Sequence, residues 1–306
     1  MTGNDPHDTS VEAGPEYVRE WLRHLTGKYG TAAEGGVKFY NLDNEPDIWH
    51  STHRDVHPTG ASSAELRDQA YAIGAAVKEV DPTAATLGPV GWGWTSWDHS
   101  GLDQEECGRT GCWANPPDRP NRNGLPFATW YLQQMRDYEA RHGQRVLDYF
   151  DMHFYPQAAG VAFGNGNDPA TNALRLRSTR ALWDPTYTDE SWINTQVRLV
   201  PRMKELVAAN YPGTRTAITE YNWGRWTTST ARWPRRTYSG SSVGRGWTWR
   251  PSGRRRPRAS RARTPSGCTA TTTVPAAGSA TSGSGRPPPT PNSSRCTPPS
   301  AARTVR

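Results

Sequence analysis

The chain has 306 residues, of which 34% are hydrophobic and 21% charged, and a formal net charge of +7. Its basic character belongs to one end, since the segment from Arg225 to Arg306 holds 16 arginines and none of the 29 acidic residues. No run of 18 apolar residues occurs, and Met1 to Thr31 has no apolar run of signal-peptide type, which excludes a membrane-spanning helix and predicts no export signal in this chain.

Helical and strand patterns alternate along the first part of the chain. Pro15 suits the first turn of a helix that Gly27 can end, and Ser62 with Glu65 forms a capping-box pattern for a second helix reaching Val80. The other predicted elements are strands at 37–42, 84–90, 146–155 and 214–221, a helix at 127–142, and a helix from Trp192 onward that is kinked at Pro201.

Strands separated by helices predict an α/β fold with a parallel sheet. Four strands are evident, whereas a closed (β/α)8 barrel has eight, so the pattern predicts either a smaller open sheet or part of a barrel in a domain spanning 1–224. Residues 225–306 contain no Leu, Ile, Phe or Met and cannot bury enough apolar surface to offset the entropy of ordering. We therefore predict a separate, disordered C-terminal segment.

The cysteines divide evenly between the two segments. Cys107 and Cys112 lie in the first, and Cys268 and Cys296 lie in the second. A C-x4-C pair without further Cys or paired His nearby is a weak zinc signal, because a structural zinc site usually has four ligands. The spacing leaves open a loop disulfide or two free thiols.

Two glutamates directly follow predicted strands. Asn44 and Glu45 stand at the carboxyl end of the strand at 37–42, and Glu220 stands at the end of the strand at 214–221. Since parallel strands end at one edge of a sheet, both carboxylates are expected to face one cleft. Glycoside hydrolysis uses such a pair, one acid to protonate the leaving oxygen and one carboxylate across the anomeric carbon. Either glutamate alone would also fit a solvated loop, but the pair favours catalysis.

Other side chains are predicted near the same edge. His153 and Tyr155 are alternate residues of one strand, point the same way and could orient Glu220, with a packed aromatic strand as the alternative. Flat aromatic faces suit the apolar faces of β-linked glucose, although each tryptophan could instead belong to the core. The tryptophans at strand ends or in the following loops are Trp49, Trp92, Trp94, Trp97 and Trp223.

Four motifs, in order, resemble glycoside hydrolase family 44, a family of endo-β-1,4-glucanases and xyloglucanases. They are YNLDNEPDIWHSTH at 40–53, LDYFDMHFYPQ at 147–157, LRSTRALWDPTY at 176–187 and AITEYNWG at 217–224. The resemblance covers about residues 5–224. It implies a partial (β/α)8 TIM barrel comprising about strands four to seven with their helices.

The resemblance also implies a retaining double displacement. Glu45 falls at the family's acid/base position, Glu220 at its nucleophile position, and Asn44 at the residue that hydrogen-bonds the sugar 2-hydroxyl. Three β/α units that precede the first motif in the family, the eighth strand and a β-sandwich are not matched, so we expect a truncated catalytic domain that is inactive or poorly folded. The Arg-, Pro-, Ser- and Thr-rich composition of 225–306 suggests a frameshift in a GC-rich gene as our hypothesis.

The expected partner is a β-glucan polysaccharide, bound by a monomer that acts outside the cell. We predict no cofactor, no metal ligand among the site residues, and no membrane or specific nucleic-acid partner. No calcium ligand set can be mapped onto the sequence, which leaves a calcium site open. A noncatalytic carbohydrate binder that keeps the Trp face is one alternative. The other is nonspecific phosphate binding by a cluster of arginines, namely Arg254, Arg255, Arg256, Arg258, Arg261 and Arg263.

Overall fold

The computed structural model describes residues 5–8, 10–164 and 166–224. Its helices are α1 (Pro15–Tyr29), α2 (Trp49–Thr52), α3 (Ser63–Val80), α4 (Gly101–Thr110), α5 (Phe127–His142), α6 (Pro169–Ser178) and α7 (Leu199–Asn210). Its strands are β1 (Phe39–Asn41), β2 (Ala85–Gly91), β3 (Tyr149–Met152) and β4 (Arg215–Ala217). Short 3-10 turns occur between them, including Pro46–Ile48 and Trp94–Trp97.

The strands form one parallel sheet in the order β1-β2-β3-β4, so strands consecutive in sequence are neighbours in space. In the register, Phe39 lies opposite Ala85, Leu87 opposite Tyr149, and Tyr149 opposite Arg215. The predicted α/β fold with a parallel sheet is confirmed, although three of the four strands are shorter than predicted. All four carboxyl ends therefore open onto the same edge of the sheet.

Helices pack beside the sheet in the order of the strands that they connect. α3 contacts α1 and α5, and α5 in turn contacts α7. Phe150 and Met152 of β3 share the main buried cluster with Leu132 and Met135 of α5, while Leu22 of α1 lies in a second cluster. Each large apolar side chain removed from water in this way contributes roughly 1.5–3 kcal/mol. This packing holds the strand ends, and the loops after them, in place.

The N-terminus of α3 is capped by Ser62, whose hydroxyl accepts a hydrogen bond from the backbone N–H of Glu65 at 3.2 Å. The reciprocal half of the predicted capping box is wrong, because the Glu65 carboxylate lies 2.7 Å from His57 Nε2 instead. Burial opposes a charge on His57, but the hydrogen bond and the charge of Glu65 outweigh it and raise the pKa of His57. A hydrogen bond between the Glu65 carboxylate and a charged His57 ring is stronger than one to the neutral backbone N–H of Ser62 would be.

Two helix boundaries differ from the prediction. α1 continues through Gly27 and ends at Tyr29, before Gly30, whose φ of 80° favours glycine. The helix predicted from Trp192 is wrong in its first half: α7 starts at Leu199, after Arg198 with a φ of 47° that a right-handed helix cannot accommodate. Pro201 falls in the first turn, where its missing N–H has no intrahelical partner to lose, so it needs no kink.

The sequence patterns do not predict α4, because it has no regular apolar stripe. A polar cap starts it instead, with Ser100 Oγ accepting from the Asp103 N–H at 3.3 Å. Cys107, near the end of α4, is bonded to Cys112 in the following loop. The structure thus decides between the two alternatives for this pair in favour of the disulfide. α6 is likewise an addition to the predicted elements.

A fully buried arginine ties α3 and α4 to the loop that precedes α5. The Arg122 guanidinium lies 2.8 Å from Asp103 and 3.1 Å from Asp118, and it donates to Ser63 Oγ at 2.8 Å. Burial disfavours the charge of Asp118, but hydrogen bonds led by that from Ser63 outweigh it and lower the pKa of Asp118. These charges are paired and hydrogen-bonded, as buried charges have to be.

In the part of the chain that the structure describes, no helix combines the length and apolar character needed to cross a membrane. The predictions for 225–306, namely disorder, a frameshift and phosphate binding by the arginines, lie outside the described residues.

Candidate active site

Glu45 lies just beyond the carboxyl end of β1 in an unusual backbone conformation. Its φ of 50° and ψ of 49° are left-handed, which non-glycine residues seldom adopt. Its N–H donates to the carbonyl of Val90 in β2 at 2.9 Å, and Val90 also has a positive φ of 58°. Such conformations cost about 1–3 kcal/mol each and cluster at functional sites. Two strands therefore fix the position of Glu45.

Glu220 reaches the same edge from the other end of the sheet. Its carbonyl accepts a hydrogen bond from the Phe154 N–H at 3.0 Å, and Phe154 pairs with Tyr221 in a parallel bridge. This bridge continues the β3–β4 pairing past the end of the ladder. Glu220 is therefore held by β3 just as Glu45 is held by β2.

His153 lies between the two carboxylates. Its Nδ1 is 2.8 Å from Glu45 Oε1 and 3.6 Å from Glu220 Oε2, and the ring is buried. On its other side, Nε2 lies 3.2 Å from Thr219 Oγ1. The Tyr155 hydroxyl donates to Glu220 Oε2 at 2.6 Å. The structure thus brings together four of the five polar residues predicted from strand ends and strand alternation, all except Asn44.

The electrostatics of His153 favour its charged form. Burial lowers the pKa of the ring, but the hydrogen bond to Glu45 and the charges of Glu220 and Asp151 outweigh burial and raise this pKa. Burial also raises the pKa of the Tyr155 hydroxyl, and the hydrogen bond to Glu220 adds to that effect. Tyr155 therefore acts toward Glu220 as a neutral hydrogen-bond donor.

Two residues behind His153 were not predicted from the sequence. Asp151 is fully buried and accepts from the Thr219 hydroxyl at 2.6 Å and from the Thr219 N–H at 3.1 Å. Burial raises the pKa of Asp151, against the hydrogen bonds from Thr219. The alternation that selects His153 and Tyr155 includes Asp151 as the next residue on the same face, and that is the signal that could have found it.

A second buried carboxylate, Asp47, connects the loop after Glu45 to an aromatic side chain. Asp47 accepts hydrogen bonds from Ser96 Oγ and from Gln104 Nε2, the latter at 2.9 Å. The oxygen of the same Gln104 amide accepts from Trp92 Nε1 at 2.6 Å. Asp47 and Gln104 were also missed, because the sequence does not show that α4 packs against this loop.

A cleft of about 670 Å³ lies beside these residues. Aromatic rings make up most of its apolar lining, and two of them are strongly exposed, Trp113 at 42% and Trp192 at 59%. The residues that line the cleft are Ile48, His50, Trp92, Trp94, Thr95, Asp98, His99, Gln104, Trp113 and Trp192. Of the predicted substrate-binding tryptophans, Trp92 and Trp94 lie in this cleft.

The remaining predicted residues lie elsewhere. Asn44 is exposed at the edge of the sheet beside Glu45. Trp49 contacts the His57 ring with centroids 5.2 Å apart and donates a hydrogen bond to Asp43.

Trp223 is 3% exposed and donates to Ser178 Oγ at 3.0 Å, so the structure places it in the core and not in the cleft.

Asp43, two residues before Glu45, has a strongly perturbed carboxyl group. Burial raises its pKa to about 6, helped by the charge of Asp47, while hydrogen bonds from the Asn44 N–H and from Trp49 act in the opposite direction. A carboxyl group with such a pKa is partly protonated near pH 6. The edge around Glu45 therefore carries less negative charge at mildly acidic pH than the sequence suggests.

Glu45, His153 and Glu220 could also provide three ligand atoms to a metal ion, since one donor atom of each lies within 4.8 Å of the others. His153 Nδ1 is already hydrogen-bonded to Glu45, and its raised pKa opposes the loss of the proton that ligation requires. The donor set therefore fits acid/base chemistry better than ligation.

Two carboxylates that face each other from equivalent strand ends are the pair that glycoside hydrolysis uses. The chain matches the model of glycoside hydrolase family 44 over residues 1–158. It therefore belongs to glycoside hydrolase family 44.

Curated relatives and solved structures agree with this family. Endoglucanase A of Paenibacillus lautus is 34% identical over 230 residues, which are 72% of this chain and 31% of the relative. The bifunctional glucanase-xylanase CelM2 from a metagenome library is 46% identical, with a TM-score of 0.73 over 77% of this chain and 45% of that chain. A Paenibacillus polymyxa xyloglucanase, solved with xyloglucan, is 36% identical, with a TM-score of 0.59 over 70% of this chain and 41% of that chain. The chain thus spans less than half the length of each of these relatives.

Proposed function

We propose that the site is that of a retaining, endo-acting β-glycanase, with Glu45 as acid/base and Glu220 as nucleophile. The observation that carries the proposal is the carboxylate spacing, because an oxygen of Glu45 and one of Glu220 lie within 4.8 Å of each other. Retaining glycosidases place their carboxyl groups about 5–5.5 Å apart, whereas inverting ones leave about 6.5–9.5 Å for a water molecule.

In the first step, Glu45 donates its proton to the glycosidic oxygen while Glu220 attacks the anomeric carbon. The C–O bond to the leaving sugar breaks, and an ester bond to Glu220 forms. Tyr155, which donates to Glu220 Oε2 at 2.6 Å, holds the nucleophile in one rotamer and leaves the other oxygen for attack. Holding the reacting atoms in this way lowers the entropic part of the barrier.

In the second step, the ester removes the charge of Glu220, and Glu45 acts as base toward a water molecule. The water attacks the anomeric carbon, the ester bond breaks, and the sugar leaves with its original configuration. His153 stays hydrogen-bonded to Glu45 Oε1 throughout, so proton transfer uses the other oxygen, Oε2. A cationic His153 stabilises whichever of the two carboxylates is charged at each stage.

The substrate class that fits best is a β-1,4-linked glucan such as cellulose or xyloglucan. The relatives include an endoglucanase, a xyloglucanase and a glucanase-xylanase. Such polymers are insoluble or too large to enter cells, so we infer that the parent enzyme acts outside the cell. We further propose that it acts as a monomer, because one chain supplies both carboxylates.

The test is stereochemical as well as catalytic. Reducing ends released from carboxymethylcellulose and xyloglucan are measured for this chain, for Glu220→Gln and for Glu16→Gln, which changes an exposed carboxylate outside the site. Any reducing ends that this chain releases, against the expectation of an inactive truncated domain, should be lost in the Glu220 variant and kept in the Glu16 variant. Activity that survives Glu220→Gln would remove the proposed nucleophile.

Azide distinguishes the two roles with an aryl β-cellobioside, whose good leaving group needs no acid. Glu45→Ala with azide should give the β-glycosyl azide, because azide replaces water in the second step. Glu220→Gly with azide should give the α-glycosyl azide, because azide then attacks from the vacated nucleophile position. The opposite pattern would exchange the two roles.

The exposed Trp113 and Trp192 favour a second candidate, carbohydrate binding without turnover. In that case the chain would retain affinity for xyloglucan in affinity electrophoresis while releasing no reducing ends. Glu45→Gln would leave that affinity unchanged.

A further inference from the structure

Several residues that line the cleft described above closely follow Glu45 or β2 along the chain. Ile48 and His50, three and five residues after Glu45, line one end of it, and Trp92 and Trp94 follow β2. Within the described chain, none of its lining residues comes from 218–224, the segment after β4 that carries Glu220. A leaving sugar must lie next to the acid that protonates it. Given the proposed function, the cleft therefore faces the leaving-group side of the substrate.

The floor of the cleft is held by buried hydrogen bonds. Gln104 of α4 donates to Asp47 and to the His99 carbonyl, and its oxygen accepts from Trp92 Nε1 and from Thr95 Oγ1. Both N–H donors and both oxygen lone pairs of this amide are thereby used. Trp92 is fixed by α4 as firmly as Glu45 is fixed by the sheet.

The outer wall is held differently. Trp113 is 42% exposed, and its ring meets the His99 ring edge-on with centroids 5.1 Å apart. Among the hydrogen bonds of the described residues, the segment 111–115 has only Gly111 N–H to Cys107 and Asn115 N–H to Cys112, both local. The covalent link from Cys112 to Cys107, which is 1% exposed on α4, is the strong connection of this segment to the core.

We propose that the Cys107–Cys112 disulfide positions Trp113 as one wall of a binding site for the leaving-group side of a β-glucan chain, so that affinity for this part of the chain depends on the disulfide. Trp113 directly follows Cys112, so the crosslink restrains the backbone next to the indole. The indole face is then available to the apolar face of a β-linked glucose unit in the cleft that Trp92 and Trp94 also line. A wall that is already in position has no ordering entropy to lose when sugar binds.

Reduction removes the restraint by a defined step. A dithiol reductant transfers two electrons and two protons to the S–S bond, giving the Cys107 and Cys112 thiols, while the reductant closes to its own cyclic disulfide. The segment 111–115 then keeps only its local hydrogen bonds and the Trp113–His99 contact. The floor around Gln104 is unaffected, because none of its hydrogen bonds involves this segment.

The test measures cellotetraose binding by isothermal titration calorimetry in the full chain carrying Glu220→Gln, which prevents turnover. Cys107→Ser/Cys112→Ser is compared with Trp113→Ala and with the combination of the three changes. Trp183→Ala is the matched control, because Trp183 is 48% exposed but lies outside the cleft. Substitution is preferred to reductant, since Cys268 and Cys296 are also present.

We expect the double Cys variant and Trp113→Ala each to weaken binding by roughly tenfold, the value of one aromatic contact. The combination should weaken it no further, because both changes remove the same wall, and Trp183→Ala should bind like the parent. Equal affinities for the double Cys variant and the parent, or full additivity of the two changes, would overturn the proposal. So would an absence of cellotetraose binding by the oxidised parent.

If the double Cys variant loses its native circular dichroism, reversible reduction replaces it. The chain carrying Cys268→Ser and Cys296→Ser is reduced, titrated and reoxidised, and affinity should fall and then return. Failure of the glycanase proposal would appear separately, as an absence of reducing ends from the chain with Glu220 intact. Binding and its dependence on the disulfide do not require turnover.

Discussion

His153 Nδ1 lies 2.8 Å from Glu45 Oε1 and 3.6 Å from Glu220 Oε2, so that one buried ring contacts carboxylates carried by the first and the last strand of the sheet. Its own strand, β3, neighbours β4 but not β1. The ring therefore spans β2, and it connects side chains that no ladder hydrogen bond connects. Both the geometry of the pair and its charge balance depend on this histidine.

His153→Asn tests that dependence through stability. The pKa of His153 is raised in the folded chain, so the charged ring contributes stability that is fully present below its unfolded pKa of about 6.5. This contribution is lost as pH rises through the folded pKa. We expect the variant to be destabilised most near pH 5, by roughly 1–3 kcal/mol, and less toward pH 9.

Urea unfolding at several pH values measures this difference, and His53→Asn, at an exposed histidine, is the control. An NMR titration of the His153 ring gives its pKa directly. A destabilisation that grows with pH, or a ring that titrates below its usual value, would contradict the assignment of a cationic His153.

Tyr155→Phe removes only the hydroxyl that donates to Glu220 Oε2. A hydrogen bond to a charged group contributes about 1.5–3 kcal/mol, so kcat/KM on an aryl β-cellobioside should fall roughly ten- to hundredfold. Tyr131→Phe is a matched control, because the Tyr131 hydroxyl is buried and has no hydrogen-bond partner among the described residues. Equal effects of the two substitutions would mean that Tyr155 acts only through packing.

The sequence predicts the carboxylate pair well because strand ends and alternation are local properties. Glu45, Glu220, His153 and Tyr155 are each selected by their position on one strand, and a parallel sheet brings strand ends to one edge. Gln104 could not be found in this way, since its role depends on how α4 packs against a loop nearly 60 residues earlier. Packing of that kind has no periodic signal in the sequence.

The positions of several tryptophans could not be predicted for the same reason, because they depend on packing between segments distant in sequence. Trp223 follows a strand, as a cleft residue should, but it packs on Phe154 and donates to Ser178 of α6, a helix that the sequence patterns do not predict. Conversely, Trp113 and Trp192 were not selected, because they lie far from any strand end in sequence. Where apolar periodicity is absent, as in α4, a polar cap starts the helix and buried ion pairs anchor it.

Arg122 gives a stability prediction for one of these ion-pair networks. Arg122→Met leaves Asp103 and Asp118 buried without a cation, which should cost roughly 3–5 kcal/mol. Arg109→Met changes an arginine whose salt bridge to Glu106 is exposed and screened by solvent, and it should cost much less. The free energies of unfolding in urea compare the two, and similar values would show that the buried network does not stabilise α4.

Asp43→Asn tests the perturbed carboxyl group beside Glu45. The pKa of Asp43 is raised to about 6 in the folded chain, so between about pH 4 and 6 the folded state binds more protons than the unfolded state. Stability contributed by the neutral carboxyl is therefore lost as pH rises through that window. The asparagine introduced at position 43 can still accept a hydrogen bond from the Asn44 N–H, but it cannot ionise. We expect the free energy of unfolding of the variant to exceed that of the parent by about 3 kcal/mol at pH 7 and by little near pH 4.

Trp49→Phe provides a second test of the raised pKa of Asp43. The Trp49 hydrogen bond to Asp43 lowers the carboxyl pKa against the effect of burial, so its removal should move the window of stability loss to higher pH. Free energies of unfolding from pH 4 to 8 for the parent and both single variants provide the comparison. An advantage of Asp43→Asn that is the same at every pH would show that the Asp43 carboxyl does not titrate in this range, and the burial that raises its pKa would have to be reassessed.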